Sequence, residues 1–225
     1  MPNHISTNFR VSGPTDELRR FMSDAASSSS VLSLNNLLPM PDELRVVSFP
    51  VRIMTQAEID KQWADWRKNK EDKRDTGPMG LHSFNSDRPF ALGITKETSD
   101  DYKAKYGTDN WYDWSVSNWG SKWDIYDVTE WNVTTIITPQ DCSISCADIF
   151  YMTAWSPVTN AWQQISKKYP TLEFFHEFAD EGGGFVGSQI IQNGDIVEDN
   201  DYEWNSDAGI VIRENVGMSV EEDEG

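Results

Sequence analysis

The feature that most constrains this sequence is the order in which its periodicities appear. Residues 5–12 set Ile5, Thr7, Phe9 and Val11 on one side of an extended chain, the two-residue repeat of a strand. Gly13-Pro14 ends it. Thr15 then caps a helix to about residue 26, with Leu18, Phe21, Met22 and Ala25 on one stripe. The same grammar returns later. Residues 143–154 read as a strand, imperfect near Ala147-Asp148. Ser156-Pro157 reads as a helix start, a cap followed by proline at the first helical position. Val158, Ala161, Trp162, Ile165 and Tyr169 form that helix's stripe, and Pro170 closes it. Residues 172–178 alternate again, with Leu172, Phe174, His176 and Phe178 on one face and Glu173, Phe175 and Glu177 on the other. Residues 122–137 are mostly extended and turn at Pro139-Gln140-Asp141. The order is strand, helix, strand, strand, helix, strand: the α+β pattern of a ferredoxin-like split βαβ antiparallel sheet. Strands near 5–12, 143–154 and 171–178 are expected in one sheet, with helices 15–26 and 157–168 on one face.

A long helical insertion separates the halves of this pattern. Thr55 and Glu58 fit a capping box for a helix over 55–74, whose apolar stripe is Ile59, Trp63 and Trp66. A second helix runs from about Lys96 to Tyr106 and stops at Gly107. Thr108 is placed to cap a third through Trp119, with Gly120 beyond it. Residues 27–30 are a serine loop, the two prolines of 34–44 demand an extended or turning chain, and residues 76–95 look irregular. Late in the chain, 185–191 and 195–198 read as a hairpin across Asn193-Gly194, after a hinge or bulge at Gly182-Gly183-Gly184. The expected divisions are 1–48, a strand and helix of the core; 49–108, the mainly helical insertion; 109–205, the ferredoxin-like part with its hairpin; and 206–225, an acidic tail.

Charge is spread unevenly. The net charge is -18. Residues 1–110 hold 15 basic and 16 acidic residues, whereas 111–225 hold 4 basic and 21 acidic ones. Residues 171–225 alone carry 15 acidic residues against one basic. Such a half repels a phosphate backbone, so nucleic acid is not an expected partner. Solubility is a sufficient use for the charge; a surface for a basic partner protein is the sharper one.

No stretch has the roughly 20 apolar residues of a membrane span, and the first residues lack the basic and apolar regions of a secretory signal. A cytoplasmic location is expected, in which the Asn132-Val133-Thr134 sequon is irrelevant. On one strand Cys142 and Cys146 would stand about 13 Å apart, too far for a disulfide; two free, buried thiols are expected, and no metal site.

The 38% hydrophobic content suits a packed core, and ten tryptophans are many for 225 residues. Four lie in the motif WYDWSVSNWGSKWD, residues 111–124. In one reading Trp111, Trp114 and Trp119 anchor a helix and Trp123 starts the strand leaving it. In the other, Trp111, Tyr112, Asn118 and Lys122 line a small pocket that stacks a ring and hydrogen-bonds its edge. His4, His82 and His176 are far apart, and His176 among phenylalanines reads as a core histidine. The sequence has no nucleophile elbow, P-loop, GxGxxG, HExxH or paired CxxC. The glycine run could form an anion nest, but Asp180 and Glu181 argue against phosphate there. The acidic residues at 195–203 lack the spacing of a calcium loop. No cofactor or catalytic residue is expected.

The tryptophan motif resembles the signature of the YubB-like, Api-type protein family of phages and conjugative plasmids. MPNHISTNFRVSG at the start, LPMPDEL, and MTAWSPVTNAWQQISKKYPTLEF over 152–174 are similar to that family in the same order. The resemblance implies a ferredoxin-like domain in the later half and a mobile-element protein of bacterial cytoplasm. It implies no activity.

Two functions follow. The first is a non-enzymatic interaction protein that binds and modulates or inhibits a basic host protein, from defence or nucleic-acid binding, through a DNA-like acidic face. Its contact residues would be Glu173, Glu177, Asp180, Glu181, Asp195, Glu198, Asp199, Asp201 and Glu203. The second is a small-ligand binder or enzyme using the Trp-motif pocket.

Overall fold

A computed structural model describes residues 3–71, 92–137 and 143–218. Among these residues six strands form one antiparallel sheet: β1 (His4–Pro14), β2 (Asn132–Ile137), β3 (Ser143–Ala154), β4 (Glu173–Asp180), β5 (Val186–Gln192) and β6 (Asp195–Asp201). Their spatial order is β2-β3-β1-β4-β5-β6. The first four in that order, with helices α1 (Thr15–Ala25) and α7 (Thr159–Ser166) as crossovers, make the split βαβ core. The β5–β6 hairpin extends it beyond β4. Asn193 and Gly194 turn the hairpin with φ of 49° and 92°, the left-handed pair that a two-residue turn requires.

The alternation read from the sequence sets the two faces. Phe9 lies between Ile149 of β3 and His176 of β4, and Val11 between Ala147 and Phe174. All but Ile149 are fully buried, and it is 3% exposed. Helices α1 and α7 cover this face: Trp162 stacks on Phe9 with ring centroids 4.3 Å apart, and Phe21 meets Phe174 edge-on at 5.4 Å. The Trp162 indole N–H donates to the Tyr151 hydroxyl at 2.9 Å, which pairs the one polar atom that ring brings into the core.

A helix covers part of the opposite face where the sequence suggested only an acidic tail. α8 (Asp207–Asn215) is capped by Ser206, whose hydroxyl accepts from the Gly209 amide at 3.1 Å. Ile212 and Val216 bury against Ala179 and Val186, with Phe150, Tyr202 and Trp204 beside them. A Cβ at Gly209 would stand 2.3 Å from the Glu203 carbonyl oxygen, so only glycine permits this packing.

The chain packs as two units, Met1–Pro39 with Asn118–Gly225, and Met40–Ser117. The first holds the sheet and α2 (Leu34–Leu37). The second holds α3 (Asp42–Arg45), α4 (Gln56–Glu71), α5 (Lys96–Tyr106) and most of α6 (Trp111–Asn118). Thr55 and Glu58 make the capping box: the Thr55 amide donates to the Glu58 carboxylate at 2.8 Å, and the Glu58 amide to the Thr55 hydroxyl at 3.4 Å. Gly107 ends α5 with φ of 78°.

Several local expectations are corrected. The cap of α6 is Asn110, whose side-chain oxygen accepts from the Asp113 amide at 2.9 Å, rather than Thr108. Ser156 does not cap α7. It donates to the Gly120 carbonyl at 2.7 Å, and the helix starts at Thr159 after Val158 in the left-handed region, φ 57°. Residues 123–131 are irregular apart from a bridge between Tyr126 and Met152. Cys146 is free but half-buried. Cys142, His82 and most of 76–95 lie outside the described residues.

Candidate binding surface

The acidic residues occupy different settings. β6 is an edge strand with every residue exposed. Asp195, Glu198, Asp199 and Asp201 stand along it, and exposed Glu203 follows. Among the described residues no lysine or arginine forms an ion pair with any of the five. Asp199 accepts from the Gln189 amide at 2.8 Å. Register divides the strand: Asp195 and Glu198 share the α8 side with Glu173, whereas Asp199 and Asp201 share the α7 side. The acids thus form an edge ridge rather than a single flat face.

Glu173 and Glu181 are also exposed. Glu177 is half-buried, and both its carboxylate oxygens accept from Asn215 of α8 at 3.1 Å. Asp180 is 4% exposed and does not reach the ridge. It accepts from the Gly184 amide at 3.0 Å and from Asn3 at 3.2 Å. In the glycine turn the Gly184 amide is thus taken by Asp180 itself, and the Gly183 amide donates to the Asp180 carbonyl at 2.9 Å. The local signal was the Asp-x-Gly-Gly-Gly spacing, in which a short carboxylate folds back on the turn that follows it.

The four residues of the expected pocket fall in both units. Trp111 and Tyr112 belong to Met40–Ser117, and Tyr112 stacks on Phe49 at 4.0 Å. Asn118 and Lys122 belong to the sheet unit. The Asn118 carbonyl accepts from Gln164 at 3.0 Å. The Lys122 ammonium stands 5.0 Å from the Trp123 ring and 5.6 Å from that of Trp155. Trp114 and Trp119 are buried, as the packing reading expects, and the Trp119 indole donates to the Leu38 carbonyl at 2.9 Å.

Three further arrangements escaped the sequence. His4 Nδ1 meets the Tyr126 hydroxyl, and the His4 amide donates to Glu181 at 2.8 Å, which pins the start of β1 to the end of β4. Burial, with help from Asp127 and Glu181, pushes the Tyr126 hydroxyl up to about 12. The Asp124 carboxylate accepts from the Ser33 hydroxyl at 2.7 Å and from the amides of Leu34, Asn35 and Ile125 at 2.8, 3.3 and 2.8 Å. Burial raises its pKa while these donors oppose the rise. The Arg213 guanidinium lies 4.6 Å over Trp204. The first two join residues remote in sequence, so no spacing announces them. A groove between residues 27–30 and 125–130 holds about 500 Å³ and is lined by serines, Tyr126 and Asp127.

Among the described residues no cluster of three His, Cys, Asp or Glu side chains has metal-binding geometry. No described helix is long and apolar enough to cross a membrane. Fold and surface define a ferredoxin-like α+β domain, extended by a hairpin, with an insertion in its first crossover and an acidic outer edge. Residues 122–223 match the family described as "Ferredoxin-like domain in Api92-like protein". Among solved structures, the crystal structure of the protein Api92 from Yersinia pseudotuberculosis is similar at 10% sequence identity, over 90% of this chain and 98% of that one, with a TM-score of 0.42. No curated protein matches the chain.

Proposed function

We propose that the sheet unit is a non-catalytic docking module for a basic protein, which it engages along the β6 ridge. The observation that carries this is an excess of acidic over basic residues in that unit. Residues 1–39 and 118–225 hold 23 acidic and 7 basic residues, a net of -16, against 14 and 12 in residues 40–117. Five of those acids lie on or just beyond one exposed edge, without an ion pair among the described residues. Like charges so placed repel one another and destabilise the compact state. Opposite a basic surface they would accelerate encounter and fix orientation. The resemblance to phage and plasmid proteins fits a host protein as target, modulated or inhibited by an acidic edge that imitates the charge of DNA.

The test is capture from host lysate by the wild type and by a variant carrying Asp195→Asn, Glu198→Gln, Asp201→Asn and Glu203→Gln. Asp199 stays, because it holds Gln189. The wild type should retain a basic partner at low salt and release it at about 0.5 M, where the screening length falls to about 4 Å. The variant should retain none while melting at an equal or higher temperature. A partner held by both proteins at high salt would exclude the ridge as the docking surface.

A further inference from the structure

The two edges of the sheet are built in opposite ways. β6 has acids along its exposed length, and its pairing with β5 slips between Ile190 and Ile191. Charge and bulges are devices that stop an edge from pairing with another chain. β2, at the other edge, has neither. Its sequence, NVTTII, contains no charge, proline or glycine, and its last five residues are all β-branched, the residue class that favours strands. Its register with β3 is unbroken over all six residues. Residues 132–135 are exposed. Val133 is 48% exposed, as is Ile144 on the neighbouring β3. Among the described residues no strand lies outside β2.

We propose that β2 is a self-association edge, at which two copies of the chain pair their β2 strands antiparallel and join their sheets into one. A two-fold axis at Thr135 sets Thr135 opposite its own copy, Thr134 opposite Ile136 and Val133 opposite Ile137. None of these positions carries a charge, so no pair opposes like charges. The same operation on β6, centred on Glu198, sets Glu198 against Glu198 and Asp195 against Asp201, like charges directly opposed. A chain of net charge -18 meets a second copy at least cost where neither strand carries charge. A basic partner strand has no electrostatic reason to choose this edge over the acidic one. Six residues per strand make a small contact, so the dimer is weak and concentration-dependent. Its salt dependence is the reverse of that of the docking ridge: screening relieves the repulsion between copies and tightens the dimer.

Sedimentation equilibrium of the full chain, from about 1 to 100 µM and at low and about 0.5 M salt, tests this. The wild type should pass from monomer to dimer with concentration, more readily at high salt. Val133→Lys and Thr134→Lys, each at an exposed position, should weaken association at least about tenfold, or about 1.4 kcal/mol, with unchanged melting temperatures. Amide exchange of the wild type at residues 132–137 should slow between dilute and concentrated samples, a readout that depends on no variant. A wild type that stays monomeric at about 100 µM in high salt overturns the proposal. So does a dimer that both lysine variants leave intact, or exchange at β2 that ignores concentration.

Discussion

His176 and Gln189 face each other across the β4–β5 pair, and the His176 Nε2–H donates to Gln189 Oε1 at 2.9 Å. The same oxygen accepts from the Thr159 hydroxyl at 2.7 Å, which ties α7 to the sheet. His176 has no exposed surface, and its Nδ1 has no hydrogen-bond partner among the described residues. Burial lowers its pKa from 6.5 to about 4, against the smaller opposing effects of Gln189 and Asp199. Below pH 6.5 the unfolded chain takes up this proton and the folded chain does not. Stability is therefore full above about pH 6.5 and falls as pH drops towards 4, by about 3 kcal/mol over that window. Urea titrations at several pH values should show this slope, and His176→Gln should lack it.

Trp119 is 4% exposed and its indole N–H holds the Leu38 carbonyl. Trp119→Ala empties an aromatic site and orphans that carbonyl. The expected loss is about 3–5 kcal/mol. Thermal and urea melting would measure it, and an unchanged midpoint would show that this ring is not part of the core.

β1 lies between β3 and β4, although the family match begins at residue 122. A fragment of residues 122–223 lacks the strand that pairs with both. It should be largely unfolded or aggregated, as judged by circular dichroism and amide dispersion in NMR spectra. Supplying residues 3–39 in trans should restore protected amides in β3 and β4. A fragment that folds alone would mean that β3 and β4 can close without β1.

The strands were legible because their alternation is strict: Ile5, Phe9 and Val11 are buried, as are Phe174, His176 and Phe178. The Asn193-Gly194 turn and the Thr55–Glu58 box were legible because each is chemistry confined to a few residues. α8 was masked by its acidic surroundings, although Ser206 and the stripe Gly209, Ile212 and Val216 carry an ordinary cap and spacing. Val158 has positive φ beside a tie between Ser156 and Gly120, 36 residues apart, which no local pattern reports. The acidic residues were visible, but their sides were not. A one-residue slip at Ile190/Ile191 decides which face each of them takes, and pairing register is a tertiary property.

The central position of β1 has a consequence for synthesis. Pro14 ends β1 and Ser143 begins β3, its earlier partner. At translation rates of about 5–20 residues per second, β1 waits roughly 6–26 s on the ribosome before that partner exists. During this time Ile5, Phe9 and Val11 have no sheet to enter. The helical insertion lengthens that delay.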